Sequence, residues 1–214
     1  MIAQAVGSSV YGEMMKRSDL TELHYITPIG NIPSILEHGL LSNRLAQRYD
    51  PTSVALPGVQ AIRARRRLPS GRGAHEHVNL YFHARNPMMY YLKDQHHSLA
   101  VLRIDPNVLD LPGAFVADGN VSRENETAFW VPGEGLARLD RELVFAEWWS
   151  IGNEIERYER KRIRCAEVLI PDRVDSAYVR GVYVSCRSAL ESFQLTTNVL
   201  TATIEEHMFF HRGH

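Results

Sequence analysis

The stretch HVNLYFHARNPMMYY, residues 77–91, decides the predicted fold. Val78, Leu80 and Phe82 alternate with polar and aromatic neighbours, which is the pattern of a half-buried strand. An Arg-Asn-Pro turn ends this strand, and Pro87 suits the first turn of a following helix. A strand that leads through a polar turn into a helix is a common place to bind an anion. A purely structural turn with a surface arginine is the alternative.

Composition predicts one domain over residues 1–214, with residues 1–20 as a loose lead-in. The chain of 214 residues is 44% hydrophobic, which is enough for one well-filled core. Its 24 basic and 25 acidic side chains give a formal net charge of −1. The overall charge therefore argues neither for nor against a nucleic-acid partner, and any basic surface must be local.

The cysteines, histidines and hydropathy bear on location and metals. Cys165 and Cys186 have no metal-binding spacing and indicate a reducing compartment. No stretch resembles a membrane span, and the first thirteen residues lack the features of a signal peptide. The sequence therefore predicts a soluble, cytoplasmic protein. The close histidine pairs within 75–77 and 96–97 lack a supporting helical spacing, so no metal site is expected.

A strand and a helix open the folded part of the chain. Residues 23–27 form a short apolar strand, and residues 31–38 form a compact helix that Gly39 ends. This order places His24 and Thr27 near a helix N-terminus. For a lone strand histidine, the alternative is a hydrogen-bonded structural role.

Residues 42–76 have little sustained periodicity, and a connection this long within a domain is usually functional or mobile. Within it, residues 62–67 suit one or two helical turns. Residues 60–77 contain five arginines opposed only by Glu76. Arginine favours phosphate recognition, so the run predicts phosphate or nucleic-acid contact. The alternative is a solvated charged face.

Further strands are predicted at 99–104, 114–117 and 179–184, the first of them buried on both faces. Residues 136–149 fit an amphipathic helix. The tryptophans in and near this segment are expected to serve in core or lid packing, in preference to a stacking platform.

Glu167 is the sharpest local anomaly, because it lies in the apolar strand CAEVLIP, residues 165–171. Glutamate is rarely buried unless it is paired or functional. On a strand it shares a face with Cys165 and Leu169. It is either an edge-strand residue in water or a carboxylate that lines a ligand cleft.

Four segments resemble one family in order: HYITPIGNIPSILEHGLLS, IRARRRLP, VNLYFHARNPMMY and CAEVLIP. Together they resemble the DarT family of DNA ADP-ribosyltransferase toxins over residues 22–185. The resemblance implies the α+β ADP-ribosyltransferase fold, with split, mostly antiparallel β-sheets flanked by helices around an NAD⁺ cleft. It also implies transfer of ADP-ribose from NAD⁺ to a base in single-stranded DNA, and a macrodomain antitoxin that removes the modification.

The resemblance assigns catalytic roles to two kinds of side chain. Glu167 matches the catalytic glutamate. The catalytic arginine lies in the arginine-rich segment, where Arg66 is favoured and Arg63 is the alternative. The remaining arginines of this segment are expected to contact DNA; they are Arg65, Arg67 and Arg72.

The resemblance also assigns an NAD⁺ pocket. It places His24 and Thr27 against the adenine-side ribose and diphosphate. Three further residues complete the pocket: Asn31, Tyr81 and Arg85. Many family members have Tyr-His where this chain has His24-Tyr25, which leaves open which of the two side chains contacts the ribose.

The chemistry suits these residue types. A carboxylate stabilises the oxocarbenium-like ribose that forms when the nicotinamide bond breaks. Single-stranded DNA suits the site because its bases are already unstacked. Thymidine is the favoured acceptor and guanosine the alternative. Two other functions stay open, namely an ADP-ribosyltransferase that acts on protein or RNA, and a non-catalytic, arginine-rich nucleic-acid-binding module.

Overall fold

The structure, a computed structural model, describes residues 12–211. The strands in this range are β1 Leu23–Pro28, β2 Leu40–Leu41, β3 His77–Tyr81, β4 Leu99–Ile104, β5 Phe115–Ala117, β6 Phe129–Trp130, β7 Glu167–Pro171, β8 Arg173–Val174, β9 Val179–Val184 and β10 Ala202–Ile204. The α-helices are α1 Ile32–His38, α2 Asn43–Ala46, α3 Pro57–Arg65, α4 Pro87–Tyr91, α5 Pro132–Leu136, α6 Arg141–Val144, α7 Glu154–Ile163 and α8 Arg187–Gln194.

One large sheet carries most of the strands, in the order β10-β9-β4-β1-β3-β7-β5-β6. Its neighbours are antiparallel except for the parallel pair β9–β10. Within residues 12–211, β1 and β3 meet at one register pair, His24 opposite Tyr81. The sheet is therefore split between these two strands beyond that pair. A separate ladder joins β2 to β8.

The core forms on both faces of the large sheet. Strand β4 lies between β1 and β9, and its apolar run from Leu99 to Leu102 is fully buried, as predicted. Ala100 and Leu102 pack into the larger cluster on one face, while Leu99 and Val101 pack with Tyr81 on the other. Alternate side chains of one strand thus enter two different clusters, which explains a continuous apolar sequence.

The stretch 77–91 forms the predicted strand and helix, with one correction. Strand β3 ends at Tyr81 and is buried on both faces, because α4 and the second apolar cluster cover the face predicted to be polar. Helix α4 begins at Pro87. The Asn86 side chain caps it by accepting hydrogen bonds from the backbone N–H groups of Met88 at 3.0 Å and Met89 at 3.1 Å.

The predicted helix over residues 136–149 is wrong. Helix α5 ends at Leu136, and the chain restarts as α6 at Arg141. The Asp140 side chain accepts a hydrogen bond from the Leu143 N–H at 3.0 Å, which is an N-cap contact and marks a new helix start. Apolar periodicity across the segment came from two short helices whose buried residues face the same core.

Two further segments are more ordered than the sequence predicts. Of the lead-in, residues 1–11 lie outside the described range. The rest is packed, since Met15 and Leu20 are buried and the Met15 N–H donates to the Leu139 carbonyl at 2.9 Å. The irregular region 42–76 contains α2 and α3, and α3 begins five residues before the predicted turns. No helix within residues 12–211 is long and apolar enough to cross a membrane.

Candidate active site

The split between β1 and β3 opens into a cavity of about 1030 Å³, here called the main cavity. Tyr25 and Thr27 line it from β1, while Asn79 and Tyr81 line it from β3. The side chains therefore come from two strands that would be hydrogen-bonded if the sheet were continuous. The volume suits a ligand of dinucleotide size.

Glu167 lies next to the point where β1 and β3 separate. It stands opposite Tyr81 on β3 and opposite Ala117 on β5, so His24, Tyr81, Glu167 and Ala117 form one row across four strands. Strand β7 is an interior strand, and the Glu167 side chain is 0% exposed. This excludes the alternative of an edge-strand carboxylate in water.

Arg63 is the charge partner of Glu167. Its Nη1 donates to both carboxylate oxygens, at 3.0 and 2.9 Å. The Val121 N–H makes a longer contact of 3.4 Å with Oε1. Burial raises the pKa of Glu167 above its usual value, while the positive charge of Arg63 opposes this shift. Arg63 lines the main cavity, whereas Glu167 does not line it and lies behind the Arg63 guanidinium.

Arg66 does not contact Glu167. Its Nη2 donates to the Thr127 carbonyl at 2.8 Å, and its guanidinium lies 5.2 Å from the centre of the Phe129 ring. These contacts tie it to the end of the β5–β6 connection. The structure thus brings Arg63, and not the favoured Arg66, to Glu167.

Three of the residues expected around NAD⁺ line the main cavity. They are Thr27, Asn31 and Tyr81. Asn31 donates to the Thr27 hydroxyl at 3.2 Å and exchanges two hydrogen bonds with the backbone of Thr52, at 2.8 and 3.2 Å. The Tyr81 hydroxyl donates to the Met88 sulfur at 3.1 Å. The site is thereby held in shape by contacts among its own lining residues.

His24 does not line the main cavity. It lines a second cavity of about 400 Å³, together with Glu22 and His83. Its Nε2 lies 3.0 Å from a Glu22 carboxylate oxygen, and its Nδ1 accepts a hydrogen bond from the Ala84 N–H at 3.2 Å. Tyr25, the next residue on β1, points to the main cavity instead. Contact of His24 with the ligand stays a prediction, while Tyr25 is the residue of the two that lines the main cavity.

Arg85 is also absent from the lining of the main cavity. Its guanidinium donates to the His207 carbonyl and lies 3.9 Å from the centre of the Phe210 ring and 5.1 Å from that of Trp148. Arg85 therefore joins the turn after β3 to the C-terminal segment. Its strand-turn-helix position follows the sequence prediction, and its role toward NAD⁺ stays a prediction.

The arginines expected to contact DNA separate in the structure. Arg65 is exposed and lines the main cavity. Arg67 is exposed, donates to the Gly71 carbonyl at 3.1 Å and lies outside the cavity lining. Arg72 pairs with Asp172 at 2.5 Å, also outside the lining. Only Arg65 of these three meets the main cavity.

The family described as "ssDNA thymidine ADP-ribosyltransferase, DarT" matches residues 24–210. This match covers most of the chain, from β1 to the C-terminal turn. The chain belongs to the DarT family. The α+β fold class implied by the sequence resemblance is confirmed.

Relatives of this DarT chain include two proteins of thermophilic bacteria. A DNA ADP-ribosyl transferase–DNA ADP-ribosyl glycohydrolase fusion protein of Thermosipho africanus is 31% identical over 182 residues. The match covers 83% of this chain and 46% of the relative, so this chain spans about half the length of that protein. A DNA ADP-ribosyl transferase of Thermus sp. is 30% identical over 171 residues, covering 73% of this chain and 78% of the relative.

Solved structures of Thermus sp. DarT share the fold of this DarT chain. The complex with ADP-ribosylated single-stranded DNA has a TM-score of 0.77 at 20% identity, over 92% of this chain and 99% of that one. The complex with NAD⁺ has a TM-score of 0.71 at 20% identity, over 89% and 98% of the respective chains.

The sequence of this DarT chain left Tyr25 open as an alternative to His24, and Tyr25 lines the main cavity. Three further lining residues were not predicted: Arg123, Tyr158 and Lys161. They lie in stretches of mixed charge, which carried no one-signed run to mark them. Within residues 12–211, no group of three or more His, Cys, Asp or Glu is arranged to hold a metal ion. The expectation of a metal-free site stays a prediction.

Proposed function

We propose that this chain transfers ADP-ribose from NAD⁺ to thymidine in single-stranded DNA. The observation that carries the proposal is the buried pair of Glu167 with Arg63, which lines the main cavity, in a chain of the DarT family. The Thermus relative is solved with NAD⁺ and with ADP-ribosylated single-stranded DNA, which supports both substrates. The family description supports thymidine over guanosine as the acceptor.

NAD⁺ occupies the split between β1 and β3 in this proposal. Thr27 and Asn31 hold the adenosine end, because they lie at the end of β1 that is far from the Glu167 row. Tyr25 and Tyr81 line the middle and the reacting end. His24 and Arg85 act as supports of the surrounding structure.

Glu167 stabilises the positive charge that develops on the ribose as the bond to nicotinamide breaks. Nicotinamide leaves as a neutral molecule, so the site needs no strong general acid for it. Both Glu167 oxygens accept from Arg63.

Arg63 serves the acceptor. Thymine is a weak nucleophile until its N3–H gives up a proton, here to the Glu167 carboxylate, whose pKa burial raises, and the negative charge that results spreads over the ring and its carbonyl oxygens. A guanidinium beside the base stabilises this charge as the new bond to the ribose forms. Arg63 is the arginine of the segment that contacts Glu167, so it takes the role first assigned to Arg66.

The partner proposed for this chain is inferred from its relatives. The Thermosipho relative joins a transferase to a DNA ADP-ribosyl glycohydrolase in one chain. By analogy, this chain acts as the toxin of a pair, with a macrodomain antitoxin that removes the modification. Its formation of one domain over residues 1–214 and its cytoplasmic location stay predictions from the sequence.

The direct test is incubation with radiolabelled NAD⁺ and separate pools of single-stranded DNA, duplex DNA, RNA and protein. We expect label on single-stranded DNA alone, and on oligonucleotides that contain thymidine but not on those that lack it. Label on RNA or protein would favour the alternative transferases. Label nowhere, with DNA binding retained, would favour the non-catalytic binding module.

A further inference from the structure

Three cations around the main cavity have no acidic partner. The cavity is lined by five basic side chains: Arg63, Arg65, Arg123, Lys161 and Arg162. Arg63 is paired with Glu167, and Arg162 with Glu159 and Asp118. Among the described residues, the other three form no ion pair, so their positive charge is available to a ligand.

Two of these cations lie beside an exposed aromatic ring. The Arg123 Nη1 donates to the Tyr158 hydroxyl at 3.2 Å, and the guanidinium lies 5.4 Å from the ring centre. Tyr158 is 43% exposed and lies on α7, less than one turn before Lys161. Of the five N–H donors of Arg123, one is used in this contact. Arg123, Tyr158 and Lys161 are called the α7 surface below.

The α7 surface lies on the acceptor side of the site. Across the sheet, the order is β1, β3, β7 and β5, so the NAD⁺ end at Thr27 and the loop after β5 stand on opposite sides of Glu167. Arg123 belongs to that loop. Helix α7 leads directly into β7, and the positive charges of Lys161 and Arg123 both act to lower the pKa of the Cys165 thiol, two residues from Glu167. The surface is thus within electrostatic reach of the reacting centre.

Acidic side chains on the same loop do not cancel this charge. Glu126 accepts a hydrogen bond from the Tyr158 hydroxyl, which places its carboxylate at the rim of the ring. Glu124 is exposed and lines the cavity mouth without contacting either cation. A ligand with alternating phosphates and aromatic bases fits this pattern better than a uniform polyanion does, because the ring offers stacking between the charges.

We propose that Arg123 and Lys161 bind a phosphodiester of the acceptor strand, next to the nucleotide that is modified, and that the Tyr158 ring stacks on a neighbouring base. This inference rests on the proposed function, and it moves the DNA path from residues 60–77 to the opposite wall of the main cavity. Arg65 on α3 then faces the strand from the other side.

The test measures binding of a fluorescein-labelled, thymidine-containing oligonucleotide by anisotropy over a range of salt concentrations. Arg123→Gln and Lys161→Gln should each flatten the slope of log affinity against log salt by about 0.7, the value for one phosphate contact to a single strand. Tyr158→Leu should weaken binding by about tenfold and leave the slope unchanged. Arg67→Gln is the matched control, because Arg67 is exposed and unpaired with an acid but lies outside the cavity.

The outcomes separate this inference from the proposed function. Altered slopes for Arg123→Gln and Lys161→Gln, with an unaltered control and unchanged NAD⁺ affinity by calorimetry, support the α7 surface. If Arg67→Gln flattens the slope and the two α7-surface variants do not, the inference is overturned, even when wild-type protein modifies DNA. Wild-type binding without transfer would contradict the proposed function alone, since the slopes still assess the surface. A wild-type protein that binds no single-stranded DNA would overturn both.

Discussion

Arg63 and Arg66 are three residues apart, yet only Arg63 contacts Glu167. Helix α3 ends at Arg65, and Arg66 has an extended backbone with φ −72° and ψ 133°. If the helix continued, residues three apart would share a face. The change of backbone at the helix end turns Arg66 toward Thr127 instead. The sequence offered both arginines because the spacing before Leu68-Pro69 differs from that of the family it resembles.

This difference predicts opposite results for two conservative variants. Arg63→Lys keeps a positive charge beside Glu167 but loses the planar guanidinium, so we expect the rate of transfer at saturating substrates to fall by at least about a hundredfold. Arg66→Lys loses its contacts with Thr127 and Phe129, so it should lose about 1 kcal/mol of stability and keep its rate. Single-turnover kinetics and thermal unfolding measure the two effects. A slow Arg66→Lys protein with a fast Arg63→Lys protein would return the catalytic role to Arg66.

His83 predicts a loss of stability in acid. Its Nδ1 accepts hydrogen bonds from the Arg85 N–H at 3.1 Å and from Arg164 at 3.0 Å, which requires a neutral ring. Burial and the neighbouring charge of Arg164 lower the pKa of His83 to about 2. The unfolded chain has the ordinary value of 6.5 and binds a proton first. The contribution of His83 is therefore complete above pH 6.5 and is lost as the pH falls toward 2.

Urea unfolding at pH 7 and pH 5 measures this contribution. The free energy of unfolding should fall by about 2 kcal/mol more in the wild type than in His83→Gln, whose side chain does not titrate. An equal fall in both proteins would mean that His83 titrates normally in the folded state. Because the two proteins differ only at residue 83, the other groups that titrate in acid contribute equally to both changes in unfolding free energy.

Strand β1 is the element for which the sequence left open which residues meet the ligand. Its existence was predictable from a short apolar run that a proline ends, and the structure confirms it. Which residues of β1 meet the cavity was not predictable from the strand itself, because both of its faces are buried. The single pair His24–Tyr81 decides it, since the consecutive residues that follow, Tyr25 to Pro28, lie beside the open split and line the main cavity.

The cavity that each residue of β1 lines predicts which of them supports NAD⁺ binding. Tyr25→Leu removes a side chain that lines the main cavity, so NAD⁺ affinity should fall by about tenfold. His24→Gln keeps hydrogen-bonding capacity toward Glu22 and Ala84 in the second cavity, so the affinity should stay near the wild-type value. Isothermal titration calorimetry with NAD⁺ distinguishes these results. A loss of NAD⁺ affinity in His24→Gln but not in Tyr25→Leu would place the ligand in the second cavity, beside His24.

Other elements show which helix ends can be predicted from the local sequence. Helices α1 and α4 were predicted because proline, asparagine and glycine mark their ends by local chemistry. The segment 136–149 misled because its apolar residues keep a helical spacing across a break, where Asp140 caps a new helix and Leu139 pairs with Met15 of the N-terminal segment. Contacts between residues more than a hundred positions apart leave no local pattern.

At the scale of the whole molecule, a net charge of −1 conceals an uneven distribution. The three unpaired cations at the main cavity come from α3, from the loop after β5 and from α7. The sequence indicated the first through its arginine run, but only the fold brings the three together. The same holds for Arg63 and Glu167, which are separated by 104 residues and meet because β7 is an interior strand next to β3.

Glu167, buried beside the β1–β3 split and paired with Arg63, is proposed to drive transfer of ADP-ribose to thymidine in single-stranded DNA. Replacement Glu167→Gln keeps the size of the side chain and its hydrogen-bonding capacity toward Arg63, so the fold and NAD⁺ binding should persist. The direct measurement is the single-turnover rate at which label from NAD⁺ appears on a thymidine-containing oligonucleotide, for wild-type and Glu167→Gln proteins side by side. We expect transfer by the wild type and a rate at least about a hundredfold lower for the variant, with NAD⁺ affinity unchanged. Transfer by Glu167→Gln at the wild-type rate would contradict a catalytic role of Glu167.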